Sequence, residues 1–200
     1  MQTITSTKEL ESLYGAPSAG SLAKVFPHLT DSYRRWIEHS RFVILTTVGP
    51  EGTDASPRGD RESVVRVQDA KTLWLPDWMG NNRMDSLRNI VRDGRLSLLF
   101  MVPGSTNVVR VNGTSVLSAD PAIIETFNIN GKHPRSVIIA TVDEVYFQCA
   151  KALMRSGLWQ AADESDQVPT AGDFLKEVNS DLDARAYDEN YPEYARDRMW

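Results

Sequence analysis

Leu96-Ser-Leu-Leu-Phe-Met-Val102, closed by Pro103-Gly104 and followed by Val108-Val-Arg-Val-Asn-Gly-Thr-Ser-Val-Leu117, decides the fold class. The first run is almost unbroken in apolar residues, so it reads as a central strand covered on both faces. Pro103-Gly104 is a turn signal that ends it. In the second run Arg110 and Asn112 share a face with Val108, opposite Val109 and Val111. The connection between the runs is far too short for the crossover that parallel strands require, so the pair is antiparallel.

The same texture extends outward on both sides. Phe42 to Val48 is β-branched and apolar and runs into the turn Gly49-Pro50-Glu51-Gly52, with a returning strand beginning at Asp54 to Ser56. Further strands are expected at Ser63 to Gln68 and Thr72 to Leu75, joined by Asp69-Ala70-Lys71. A helix is expected from Arg83 to Asp93, with Met84, Leu87, Ile90 and Val91 on one face and Gly94 as its C′ residue. A short helix around Ala122 to Phe127 precedes a long strand, Ser136 to Phe147. Before Phe42, the spacing of Leu22, Val25, Phe26 and Leu29, then of Tyr33, Trp36 and Ile37, is helical. The tail shows helical pieces around Ala150 to Leu158 and Phe174 to Leu182, then a polar, aromatic-dotted end from Tyr187 to Trp200. This order predicts a mainly β protein with α additions: an antiparallel barrel or sandwich with one inserted helix and helical termini.

Composition narrows the function. Two hundred residues suit one domain with a sizeable core. A net charge of -5 argues against a nucleic-acid partner, which needs a basic face. A few converging arginines can still hold one phosphate in an acidic protein. The single cysteine, Cys149, excludes an intramolecular disulfide and is expected to be buried and inert at the end of an apolar strand. His28, His39 and His133 are scattered, without the i, i+4 pairing of a helical zinc site, so no metal is expected. Met1 to Leu10 is polar with no apolar h-region, and no apolar run approaches the roughly 20 residues that span a bilayer. A soluble, cytoplasmic protein without a membrane partner is expected.

Four stretches could carry chemistry. In Ser56-Pro57-Arg58-Gly59-Asp60, Pro57 stiffens the backbone, Gly59 permits close approach, and Arg58 offers a planar fork suited to phosphate. The plainer reading is a turn in which Arg58 pairs with Asp60. In Leu75-Pro76-Asp77-Trp78-Met79-Gly80-Asn81-Asn82-Arg83, Asn81 or Asn82 suits a helix N-cap, with Asp85 placed for a capping box on Asn82. Arg83 in that first turn opposes the helix dipole unless an anion sits there; the plainer reading is an exposed arginine. Arg110 and Asn112 give the polar face of an amphipathic strand. Lys151 and Arg155 are four apart on one helical face that Trp159 continues, which also reads as a solvated basic face. There is no Gly-x-x-x-x-Gly-Lys phosphate loop, no Gly-x-Gly-x-x-Gly after a strand and no Gly-x-Ser-x-Gly elbow. No residue can be assigned as a general acid or base from spacing.

These stretches occur together, in this order, in one family. The chain resembles the pyridoxamine-phosphate-oxidase-like FMN-binding split-barrel proteins. It looks most like the branch marked by Ser-Pro-Arg-Gly-Asp (56–60), Leu-Pro-Asp (75–77), Gly-Asn-Asn-Arg (80–83) and Arg-Leu-Ser-Leu-Leu-Phe (95–100). That branch continues with Arg-Val-Asn-Gly (110–113), Cys-Ala-Lys-Ala-Leu (149–153) and Arg-Ser-Gly-Leu-Trp (155–159). The resemblance implies a split β-barrel, laid out as an N-terminal helical segment (1–40), an FMN-binding barrel (41–165) and a helical tail (166–200) packed on the same domain. It implies a homodimer with FMN at the interface. The phosphate would be held through Arg58, Asn81, Asn82 and Arg83, the ring contacted by Pro76 and Asp77, and Gly59 and Asp60 would also belong to the cofactor site. Arg110, Lys151, Arg155 and Trp159 would come from the partner subunit. The activity implied is that of an FMN-dependent oxidoreductase acting on a small molecule or a nicotinamide reductant. Its alternatives are a flavin sensor or store, and a deazaflavin-dependent reductase. The family's vitamin B6 oxidases end in a motif containing arginine and histidine, whereas Tyr191 to Trp200 has arginines and no histidine, so vitamin B6 oxidation is not carried over.

Overall fold

The computed structural model describes residues 1–149 and 151–200. Three helices come first: α1 (Thr7–Tyr14), α2 (Ala19–Ala23) and α3 (Asp31–Glu38). Tyr33 and Ile37, four apart on one face of α3, are buried. The Tyr33 hydroxyl donates to the Lys24 carbonyl at 2.9 Å and accepts from the Phe147 N–H at 3.1 Å, which ties α3 to the last strand. Then follow β1 (Phe42–Gly49), β2 (Gly52–Gly59), β3 (Arg66–Val67), β4 (Thr72–Asp77), α4 (Asp85–Arg92), β5 (Arg95–Met101), β6 (Asn107–Ser118), α5 (Pro121–Ile124) and β7 (Ser136–Cys149). The chain ends with α6 (Lys151–Ser156), α7 (Ala171–Val178) and α8 (Ala184–Arg196). Ala150, where the first helix of the tail is expected to begin, lies outside the described residues.

Among the described residues, seven strands form one antiparallel sheet in the order β2-β1-β5-β6-β7-β4-β3. Among the described residues no strand ladder joins β2 to β3 or β4. The sheet nevertheless curls far enough for Arg58 on β2 to pair with Asp77 on β4. The result is a split barrel. Its core comes from alternate residues of the inner faces, among them Val43 and Leu45 of β1, Leu98 and Phe100 of β5, Leu73 and Leu75 of β4 and Ile138 of β7, all within 2% of full burial. Curvature has a local cause. The β6–β7 register shifts at Asn112/Gly113, where Asp143 has no opposite residue. Such a bulge bends and twists the ribbon. A Cβ on Gly113 would lie 1.9 Å from the Thr141 carbonyl oxygen, so the two backbones can close up only on glycine there.

Several local expectations are corrected. Leu96 to Met101 alternates, with Leu96, Leu98 and Phe100 buried and the residues between them half-buried, because the outer face is only partly covered. The strand expected at Ser63 to Gln68 contracts to Arg66–Val67. α4 begins at Asp85, with Met84 in the left-handed region (φ 61°) as its N-cap. The Asn82 capping box therefore does not form, and Asn82 is itself left-handed at φ 59°. On α4, Ile90 faces the core while Val91 is 72% exposed. Gly94 follows the C-cap with φ 83°, as expected of a C′ glycine. Cys149 is exposed, because β7 outruns the core after Val145. The polar end forms α8, whose side-chain stripe is aromatic: the Tyr187 and Tyr191 rings stack at 5.8 Å. α7 packs on α8 through Gly172, whose N–H donates to Asp188 Oδ1 at 2.9 Å.

Candidate functional site

Where β2 and β4 approach across the split, they and the segment leading into α4 surround a cavity of about 650 Å³. That volume is within the range of small-molecule and cofactor sites. The end of β2 supplies Arg58 and Gly59, with Asp60 just after it; β4 and the following loop supply Pro76, Asp77, Trp78, Asn81, Asn82 and Arg83; the first turn of α4 adds Ser86. Arg135, just before β7, and Met199, near the end of the chain, complete the wall. A second cavity of about 610 Å³ adjoins the first, sharing Asp60, Pro76 and Trp78 with it.

Each charged group here has a protein partner. Arg58 donates from Nε to Ser56 Oγ at 3.1 Å and from Nη1 to Asp77 Oδ1. The carboxylate that meets Arg58 is thus Asp77, across the split, and not Asp60 in its own turn. Asp60 instead accepts from Trp78 Nε1 at 3.0 Å and so holds the indole between the two cavities. Arg83 is 76% exposed and pairs through Nε with Asp85 Oδ2 at 2.9 Å. Because α4 starts only at Asp85, Arg83 precedes the helix and does not sit in its first turn as expected, and the first-turn charge is the Asp85 carboxylate, which suits the dipole. Asn81 Oδ1 accepts from the Arg83 N–H at 3.1 Å, and Asn82 Oδ1 accepts from Arg135 Nη1 at 3.2 Å. Arg61 stacks over Trp200, 4.3 Å from its ring centroid, which brings the chain end beside Met199 to the cleft.

Of the residues singled out in the sequence, Arg58, Gly59, Asp60, Pro76, Asp77, Asn81, Asn82 and Arg83 line this one cavity. Four do not. Arg110 on β6 donates to the Tyr146 hydroxyl at 3.2 Å, and Trp159 donates from Nε1 to the Ser105 carbonyl at 2.8 Å. Lys151 and Arg155 are exposed on α6. Ser86, Asp54 and Arg135 also line the cavity, and no motif in the sequence marks them. Arg135 is one residue before Ser136, the register partner of Asp77, so its position follows from strand pairing that no local motif encodes. Three guanidiniums and two side-chain amides reach one cavity from three separate parts of the chain, and four carboxylates (Asp54, Asp60, Asp77 and Asp85) share its wall.

A family model described as pyridoxamine 5'-phosphate oxidase matches residues 29–149 of the chain. No curated protein matches it. Among solved structures, HupZ of Group A Streptococcus matches with 18% identity and a TM-score of 0.50, over 61% of this chain and 95% of that one. General Stress Protein 26 of Bacillus anthracis str. Sterne matches with 14% identity and a TM-score of 0.43, over 57% and 88% of the two chains. An F420 reductase matches with 16% identity and a TM-score of 0.43, over 60% and 98%.

Proposed function

The chain belongs to the pyridoxamine 5'-phosphate oxidase family, and from that membership we propose that its cleft binds FMN by the phosphate and serves an FMN-dependent oxidoreductase. One observation carries this reading: Arg58, Arg83 and Arg135, with Asn81 and Asn82, converge on a cofactor-sized cavity from three separate segments. The donor set fits a dianionic phosphate, since guanidinium forks bind phosphate oxygens through paired, charge-assisted bonds. The flavin, when bound, supplies the electron or hydride transfer.

The protein's part is to bind and to orient. Of the four carboxylates in the cavity wall, Asp77 and Asp85 pair with Arg58 and Arg83, while Asp54 and Asp60 accept from Ser86 and Trp78. An arriving phosphate therefore exchanges carboxylate partners for its own oxygens, beginning with the exposed Arg83–Asp85 pair. Pro76 and Asp77 at the end of β4 offer backbone to a flat ring, and Trp78, pinned by Asp60, closes the space beside it. Arg110, Lys151, Arg155 and Trp159 do not line this cavity, and a homodimer with a site at each interface would let them serve the cleft of a second copy.

The test is an absorbance spectrum of the purified protein and mass identification of the chromophore released by heat. An oxidised-flavin spectrum with FMN in the supernatant is expected. Protein that is colourless and takes up no added FMN would sink the reading. Because Arg83 is mostly exposed, Arg83→Ala should weaken FMN binding about tenfold, the low end for a charge-assisted bond. Unchanged affinity would place the phosphate elsewhere.

A further inference from the structure

A chain of side-chain hydrogen bonds leads from Arg58 along the wall of the cavity, through Ser56 and Ser86 to Asp54. Ser86 Oγ donates to Asp54 Oδ2, Ser56 Oγ and Ser86 Oγ are 3.1 Å apart, and Arg58 Nε donates to Ser56 Oγ at 3.1 Å. The proton directions follow by elimination. A serine hydroxyl has one hydrogen; Ser86 gives its hydrogen to the carboxylate, so between the two serines Ser56 must donate. The order is then guanidinium to Ser56, Ser56 to Ser86, Ser86 to carboxylate. Each hydroxyl accepts from the cationic side and donates to the anionic side, which is the arrangement in which neighbouring hydrogen bonds polarise one another.

The members come from different elements. Asp54, Ser56 and Arg58 alternate along one face of β2, while Ser86 is in the first turn of α4 and only 3% exposed. The chain fixes the start of α4 against β2. With Nη1 held by Asp77, the guanidinium is pinned at two corners, and among the described residues its Nη2 edge has no protein partner.

We propose that Ser86 and Asp54 are positioning residues for Arg58, acting through Ser56, and that they preorganise its free edge for an anion in the cleft. This rests on the reading of Arg58 as a phosphate ligand. A guanidinium already fixed loses less conformational freedom when the anion arrives, so the relay contributes to the phosphate end of a ligand and not to its ring.

Two measurements test it. The first is the Arg58 Nε–H resonance of the ligand-free protein, assigned by its loss in Arg58→Ala. It should be protected from solvent exchange in the wild type and lose that protection in Ser86→Ala; identical exchange in both would overturn the relay. The second compares FMN with riboflavin, which lacks the phosphate. Ser86→Ala should lose about tenfold in FMN affinity with riboflavin affinity unchanged, and should lose nothing further in an Arg58→Ala background. Ser56→Thr, which keeps a hydroxyl, should retain the preference for FMN. Equal losses for both ligands would mean that Ser86 merely supports the fold, and would also overturn the proposal. A wild type that binds both ligands equally would remove the phosphate reading, and the relay would then stand or fall on the resonance alone.

Discussion

Arg135 reaches the cleft from outside any of the motifs that mark it, and its Nη1 donates to Asn82 Oδ1 at 3.2 Å. If it shares the phosphate, Arg135→Ala should weaken FMN binding about ten- to a hundredfold while leaving riboflavin binding alone. Equilibrium titration of flavin fluorescence checks this, and equal loss for both ligands would reassign Arg135 to holding the Asn82 loop. Arg58 and the Asn81–Arg83 stretch stand out in the sequence because their neighbours are local: a proline, a glycine, a helix start. Ser86 and Arg135 do not stand out. A serine in a helix and an arginine before a strand are ordinary until α4 docks on β2 and β7 pairs with β4. The helix starts later than propensity suggests for a related reason, since left-handed backbone at Asn82 and Met84 delays it beyond the residue that suits an N-cap.

Among the elements, the β6–β7 ribbon carries the register shift, and Gly113 sits where its two backbones approach closely. Gly113→Ala should destabilise the protein by at least about 2 kcal/mol, because the new methyl would meet the Thr141 carbonyl and the bulge has little room to yield. Gly20→Ala, with nothing within 4 Å of the added carbon, is the control and should leave the urea midpoint unchanged or slightly higher. A Gly113→Ala protein with a wild-type midpoint would show that the ribbon can relax there. The strands themselves are readable from alternation and from Pro-Gly and Gly-Pro turn signals. The bulge is not, because a glycine in a strand pattern looks the same whether it faces solvent or a second backbone. α8 escapes notice because its stripe is made of tyrosines, and Pro192 lies within it.

At the scale of the molecule, the exposed Lys151 and Arg155 and the distant Arg110 and Trp159 call for a second copy if they serve the cleft. Light scattering of the flavin-loaded protein should give twice the 22.4 kDa chain mass; a flavin-loaded monomer would contradict an interface site. Short connections made the antiparallel class legible, but the strand order was not. It depends on β5 returning to β1 and β4 finding β7, pairings between segments far apart in the chain. The family resemblance, read from motifs in series, supplied the split barrel that periodicity alone left open between barrel and sandwich. Trp78 borders both cavities, so one emitter adjoins two compartments. The chain holds five tryptophans, and the difference in emission between the wild type and Trp78→Phe isolates the light that changes when either chamber is filled.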